Sequence, residues 1–263
     1  MKIPLYQIDA FTDRVFRGNP AAVCPLEDWL DDQTLQAIAR ENNLSETAFF
    51  VERGERFDLR WFTPLAEVDL CGHATLASGH VLLNELGIGD EAVHFSSKSG
   101  PLSVARENGR LALDFPARVL APIASSTALA EALGAVPEAA LASPGGNGMA
   151  VFADEATVRA LAPDFAALGA LDHQGVIATA PGESADFVSR YFAPRVGIPE
   201  DPVTGSAHCD LAPYWAARLG KTRLLAHQIS ARGGVLHCRL AGERVHIAGD
   251  TVKYLEGIIE IRV

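Results

Sequence analysis

Apolar and polar residues alternate over residues 5–11 as in a half-buried strand, and Gly18-Asn19-Pro20 breaks the pattern before the apolar run 21–24. Over residues 31–43 the period lengthens to that of a helix. Leu35, Ile38 and Ala39 share one face, and Asp31 or Asp32 is placed to cap it. Strand patterns follow at 44–51 and 57–62. A long, largely apolar helical run then opens at Gly72 and ends at Leu86-Gly87. Two strands, 94–105 and 110–115, flank the turn Glu107-Asn108-Gly109. From 118 to 180 alanine dominates, with short helical runs at 127–133 and 156–161 and the loop Pro144-Gly145-Gly146-Asn147-Gly148. Strands at 175–180 and 187–192 come next, then a second long helical run from Gly205 to Leu219-Gly220. Further strands are predicted around Ile229 and Leu236, at 245–248, and at 257–263.

The pattern is written twice. Gly72-His73-Ala74 and Gly205-Ser206-Ala207 each open a helix that closes on Leu-Gly fifteen residues after the first glycine. Arg60-Trp61-Phe62-Thr63-Pro64 precedes the first, and Arg190-Tyr191-Phe192-Ala193-Pro194 precedes the second, 130 positions later. Gly100, Leu102 and Gly109 recur as Gly234, Leu236 and Gly242. Ordered matches at one offset, close to half of the 263 residues, mark a duplicated domain. The halves fall at 1–116 and 117–253, with a last strand at about 254–263 returning to the first half. Strands outnumber helices, and each half holds one long apolar helix. The expected fold is α+β: two duplicated halves, each a strongly curved, mostly antiparallel, barrel-like sheet wrapped around a central helix.

With 48% hydrophobic residues each half can bury a core of its own. A net charge of −11 with no Lys/Arg cluster argues against a nucleic-acid partner. The four cysteines (Cys24, Cys71, Cys209, Cys238) form no C-x-x-C pair, as expected of reduced thiols in a cytoplasm. The first residues lack the apolar core of a signal peptide, and no run approaches the roughly 20 apolar residues of a membrane span. A cytoplasmic protein without membrane contact is the expectation.

Two helix starts at equivalent places in two repeats are expected to face each other across a cleft. Their unpaired N–H groups and partial positive charge suit a carboxylate, and glycine lets it approach the backbone. Plain strand-to-helix turns at Gly72 and Gly205 are the alternative, which explains less well the polar residue that follows each, His73 and Ser206. His73, at a helix start, is expected to be held neutral by the dipole and so able to donate or transfer a proton near pH 7; a turn histidine with satisfied partners is the plainer alternative. Ser206 reads as a site residue or a cap, and Asp201 as a site acid or a loop acid. His80 and His208 lie further along the helices and read as packing or solvated residues. No histidine spacing suggests a chelate, so no metal is expected. Glu46 shares a strand face with Leu44, Ala48 and Phe50. Burial there would raise its pKa toward that of a neutral-pH acid or base, whereas a frayed strand end would leave it exposed.

Phe16-Arg17-Gly18-Asn19-Pro20-Ala21-Ala22-Val23, Asn43-Leu44-Ser45-Glu46-Thr47-Ala48-Phe49, Cys71-Gly72-His73-Ala74-Thr75 and Glu200-Asp201-Pro202-Val203-Thr204-Gly205-Ser206-Ala207 together resemble the PhzF family, in order and over essentially the whole chain. The resemblance implies the diaminopimelate-epimerase-like fold, with the active site between the halves. It implies an isomerase in which Glu46 takes a proton from one substrate carbon and returns it to another. His73, Asp201 and Ser206 then line the site, and Ser45 and the Gly72 and Gly205 helix starts bind a small carboxylate-bearing substrate. No cofactor or metal is implied, and a homodimer is expected. The epimerase relatives use two facing cysteines. Here Cys71 stands at one of those places and no thiol stands at the other, so Cys71 reads as a packed residue. A cofactor-independent racemase or epimerase, with His73 or Asp201 as opposite-face partner, is the rival enzyme reading. A non-catalytic small-molecule binding protein on the same scaffold is the rival from another class.

Overall fold

The computed structural model describes residues 1–124 and 127–261. The chain divides into two units, Met1–Asp114 with Ala248–Val263, and Phe115–Ile247.

In the first unit, the strand Lys2–Ala10 lies between Thr251–Glu260 and Asn19–Leu26, antiparallel to both. Asn19–Leu26 runs parallel to Glu46–Arg53, which turns back antiparallel into Arg56–Phe62. That strand pairs parallel with Ala92–Ser97, and the antiparallel strands Gly100–Glu107 and Arg110–Pro116 follow. The helix Gly72–His80 packs against Lys2–Ala10, Asn19–Leu26, Glu46–Arg53, Gly100–Glu107 and Thr251–Glu260, and every one of its residues is buried. Small side chains make this enclosure possible. A Cβ on Gly79 would lie 2.4 Å from Val104 Cγ1, so the sheet closes directly on the helix backbone. The hydroxyls of Thr75 and Ser78, both fully buried, donate to the carbonyls of Cys71 at 2.6 Å and Ala74 at 2.8 Å. Beyond His80 the helix widens into a π-helical turn, Val81–Glu85, where the sequence pattern predicts uninterrupted α-helix. Leu86 N–H there bonds to Val81 O at 2.9 Å, five residues back. The outer helix Asp32–Asn42 keeps the predicted features. Asp31 accepts from Thr34 N–H as the cap, and Leu35, Ile38 and Ala39 are buried with Ile3, Cys24, Phe49 and Phe62.

The second unit repeats this pairing. Val176–Pro181 is antiparallel to Phe187–Ala193, which pairs parallel with Arg223–Gln228, and that strand is antiparallel to Gly234–Ala241. The helix His208–Leu219 is its central helix, with Trp215 fully buried, stacked on Phe187 and donating to Thr179 Oγ1 at 3.0 Å. The helix starts later than its pattern predicts, because Gly205–Ala207 is a 3₁₀ turn. Pro213 sits inside it and cannot donate to the Cys209 carbonyl; Arg118 N–H takes that place at 2.9 Å. Short helices at Thr127–Leu133, Glu155–Ala160 and Phe165–Ala170 contribute to the second core.

The final strand is Thr251–Glu260, beginning before the predicted 257 because Thr251 already pairs with Ala10; residues 262 and 263 of that prediction lie outside the described residues. Among the described residues no helix is long and apolar enough to cross a membrane.

Candidate active site

The turn before Asn19 sets the first piece of the site. Gly18 has φ +64°, and a Cβ there would lie 2.1 Å from Ala10 O, so only glycine delivers the chain into the strand at this angle. Asn19, the first residue of that strand, is fully buried. Two residues on, Ala21 is in register with Glu46 of the parallel neighbour. Glu46 is 8% exposed, so its carboxyl group is inside the unit and not at an exposed strand end. Ser45 precedes it and is partly buried.

The central helix supplies the facing groups. Its N-cap, Cys71, makes no side-chain cap hydrogen bond; Gly72 is buried, and His73, one residue further, is 5% exposed. His73 Nε2 lies 3.1 Å from Glu46 Oε2. The two are not aligned as a hydrogen bond, and each is a buried polar atom with no hydrogen-bond partner. On the other side of the ring, Nδ1 lies 3.2 Å from Asn19 Nδ2 and 3.5 Å from Cys71 Sγ.

Charge decides how this group titrates. Burial pushes the Cys71 thiol up to about 11, and Glu46 adds to the push, so the sulfur is a neutral thiol near pH 7. Burial works to lower the His73 pKa, while a negative Cys71 or Glu46 works to raise it, and the raise wins. Since the thiol is neutral, Glu46 carries the charge that matters. The neutral imidazole expected from the helix dipole is therefore corrected: a carboxylate at 3.1 Å outweighs a partial charge. Glu46, Cys71 and His73 also bring three potential ligand atoms within 4.8 Å of one another, a grouping that no spacing along the chain reveals. A cation there would have to displace the Cys71 proton and free a ring nitrogen.

The other predicted residues lie in the second unit. Asp201, 8% exposed, accepts from Thr204 Oγ1 at 2.5 Å. Gln228 clamps the turn between them: its Oε1 accepts from Thr204 N–H at 2.8 Å, and its Nε2 donates to Asp201 O at 2.8 Å. Gly205 is buried at the start of the 3₁₀ turn and Ser206 is partly exposed within it. Tyr191, in register with Asp201, is pushed up by burial and by the carboxylates of Asp201 and Asp210. Its neutral hydroxyl donates to Asn147 Oδ1 at 3.0 Å. His208 is a packing residue, wholly buried beside Phe187. His80 is buried too, bonded to Thr251 and near Glu85.

Sequence reasoning placed Glu46 and His73 in the site, and the structure brings them together. It gave no role to Asn19 or Gln228. Asn19 stands inside a quoted motif, but its partner is 54 positions away. Gln228 carries no local signal at all.

The family model described as phenazine biosynthesis-like protein matches residues 8–257. An uncharacterized isomerase of Pseudomonas aeruginosa is 54% identical over 261 residues, covering 99% of this chain and 100% of that protein. A crystal structure of a PhzF-family protein from Enterococcus faecalis superposes with a TM-score of 0.96 at 48% identity, covering 99% of this chain and 100% of that one. A hydroxyproline epimerase from Agrobacterium vitis, solved with trans-4-hydroxy-L-proline bound, superposes with a TM-score of 0.62 at 11% identity over 98% of this chain and 92% of its own. That last likeness is one of fold alone: the mixed α+β architecture common to PhzF proteins and the epimerases.

Proposed function

This chain belongs to the phenazine biosynthesis-like (PhzF) family, and on that premise we propose that it is a cofactor-independent isomerase with Glu46 as its general acid and base. The substrate is a small molecule bearing a carboxylate, and the reaction moves a proton from one carbon to another. The observation that carries this reading is the buried Glu46–His73 pair, whose Oε2 and Nε2 face each other as charges 3.1 Å apart but are not aligned as a hydrogen bond. Buried polar atoms are rarely left without an aligned partner, and two that converge suit a third group placed against both of them. The Glu46 carboxylate removes the proton and becomes a carboxylic acid. The substrate anion delocalises its charge, and the acid returns the proton at the second carbon. His73 faces the same place and can donate to the charge that develops there. The start of the Gly72 helix, whose N-cap side chain makes no capping hydrogen bond, suits the substrate carboxylate.

The test is proton exchange in deuterated water against a panel of cyclic and amino carboxylates, with wild type and Glu46→Gln side by side. Deuterium should enter a substrate carbon with the wild type, and the variant should lose about 10²–10⁴-fold in rate. Exchange that survives in Glu46→Gln would overturn the assignment of the base. Deuterium entering a stereocentre without movement of a double bond would convert the reading to an epimerase.

A further inference from the structure

The isomerase reading leaves two buried groups beside His73 without a task. Asn19 is fully buried, and its amide nitrogen, which can only donate, lies 3.2 Å from Nδ1. Cys71 Sγ lies 3.5 Å from the same atom. Its thiol is neutral near pH 7, because burial pushes it up to about 11, and a neutral thiol has a proton to give. Two donors thus converge on one ring nitrogen, and a nitrogen that accepts cannot carry the proton of a neutral imidazole.

We infer that Asn19 and Cys71 are positioning residues that make Nδ1 the nitrogen from which the His73 ring loses its second proton, so that the neutral ring keeps its remaining proton on Nε2, facing Glu46. The opposite tautomer would set a lone pair against the carboxylate and an N–H against two donors. Either contact is repulsive, and more so among groups this deeply buried. The Glu46 charge draws the ring toward imidazolium, and the amide at Nδ1 resists the second proton. The balance leaves a donor aimed at the substrate position and free to give up or share its proton there. The turn at Gly18 thereby acquires a purpose. It sets the Asn19 side chain against a ring that lies 54 positions further along the chain.

This inference deepens the isomerase reading and rests on it for its catalytic meaning, so its test has a readout that needs no substrate. Protein labelled with ¹⁵N-histidine is examined by long-range ¹H–¹⁵N correlation at alkaline pH, with His73 assigned by the signals missing from His73→Gln. The wild-type ring should show its proton on Nε2 and an unprotonated Nδ1. Asn19→Asp offers Nδ1 only acceptor oxygens and should move the proton to Nδ1. Cys71→Ser keeps a donor and should leave the tautomer in place. A wild-type ring with its proton on Nδ1, or with both nitrogens protonated throughout, overturns the inference whether or not any variant folds. So does an unchanged tautomer in folded Asn19→Asp. In the deuterium assay, Asn19→Asp should lower the rate by about 10²-fold or more with little change in KM, as expected when a general acid–base group is held in the wrong tautomer. Should the tautomer behave as stated while the wild type exchanges nothing, the isomerase reading fails and the positioning of His73 stands.

Discussion

His208 is wholly buried, donates from Nδ1 to the Thr204 carbonyl at 2.9 Å, and is held by burial at a pKa of about 4 against an ordinary 6.5. Below 6.5 the unfolded chain takes up a proton that the folded chain refuses. The stability that this neutral ring contributes is therefore complete above pH 6.5 and is lost as pH falls toward 4, by about 3 kcal/mol at most. Urea midpoints at pH 7 and pH 5 should show the loss, and His208→Gln should flatten it; an equal slope in both proteins would place the sensitivity elsewhere. At Cys71 the expected outcome is chemical. A buried thiol titrating near 11 should resist alkylation at neutral pH until urea unfolds the protein, when mass spectrometry should find it modified. Of the residues that matter at this scale, Glu46 and His73 were legible because an acid among apolar neighbours and a histidine at a helix start violate local pattern. Asn19 and Gln228 were not, because an amide on a strand violates nothing until its distant partner is known.

The Gly72 helix depends on being thin. A methyl group at Gly79 would meet both the Cγ and the Cβ atoms of Val104, at 2.4 and 2.6 Å. Gly79→Ala gains about 1 kcal/mol in helix propensity, yet it should lower stability by about 1–3 kcal/mol net, because strand and helix backbones must separate. Urea unfolding measures this, and a more stable variant would show that the contact yields easily. Much at this scale could be read in advance. The Asp32–Asn42 helix, its Asp31 cap and its buried face follow from spacing alone. The widening at Val81–Glu85 could not be read, since an apolar run has the same composition whether its bonds close after four residues or five. Nor could the 3₁₀ start at Gly205, since the pattern fixes the extent of a helix better than the geometry of its first turn.

The duplication is clearest in the ladders: Arg56–Phe62 beside Ala92–Ser97 and Phe187–Ala193 beside Arg223–Gln228 are parallel pairs at matching places in two units. The period of the text announced this. The text gave less guidance on where the final strand begins, because Thr251 joins the sheet through its register with Ala10 and not through any apolar signal of its own. Removing residues 251–261 should strip one edge of Lys2–Ala10 and speed its hydrogen exchange, most of all over residues 2–5, which have no other partner strand among the described residues, while protection in Val176–Pro181 persists; loss of protection in both would mean that the units unfold as one. The pairing of the first strand with the last also has a consequence for synthesis. On the ribosome, residues 1–114 emerge first and wait without their last strand until the remainder of the chain has been made, whereas Phe115–Ile247 is contiguous and can close as soon as it is clear of the exit tunnel. The unit that carries Glu46 and His73 is begun first and completed last, so a chain interrupted late in translation would hold a contiguous second unit and a first unit short of its closing strand.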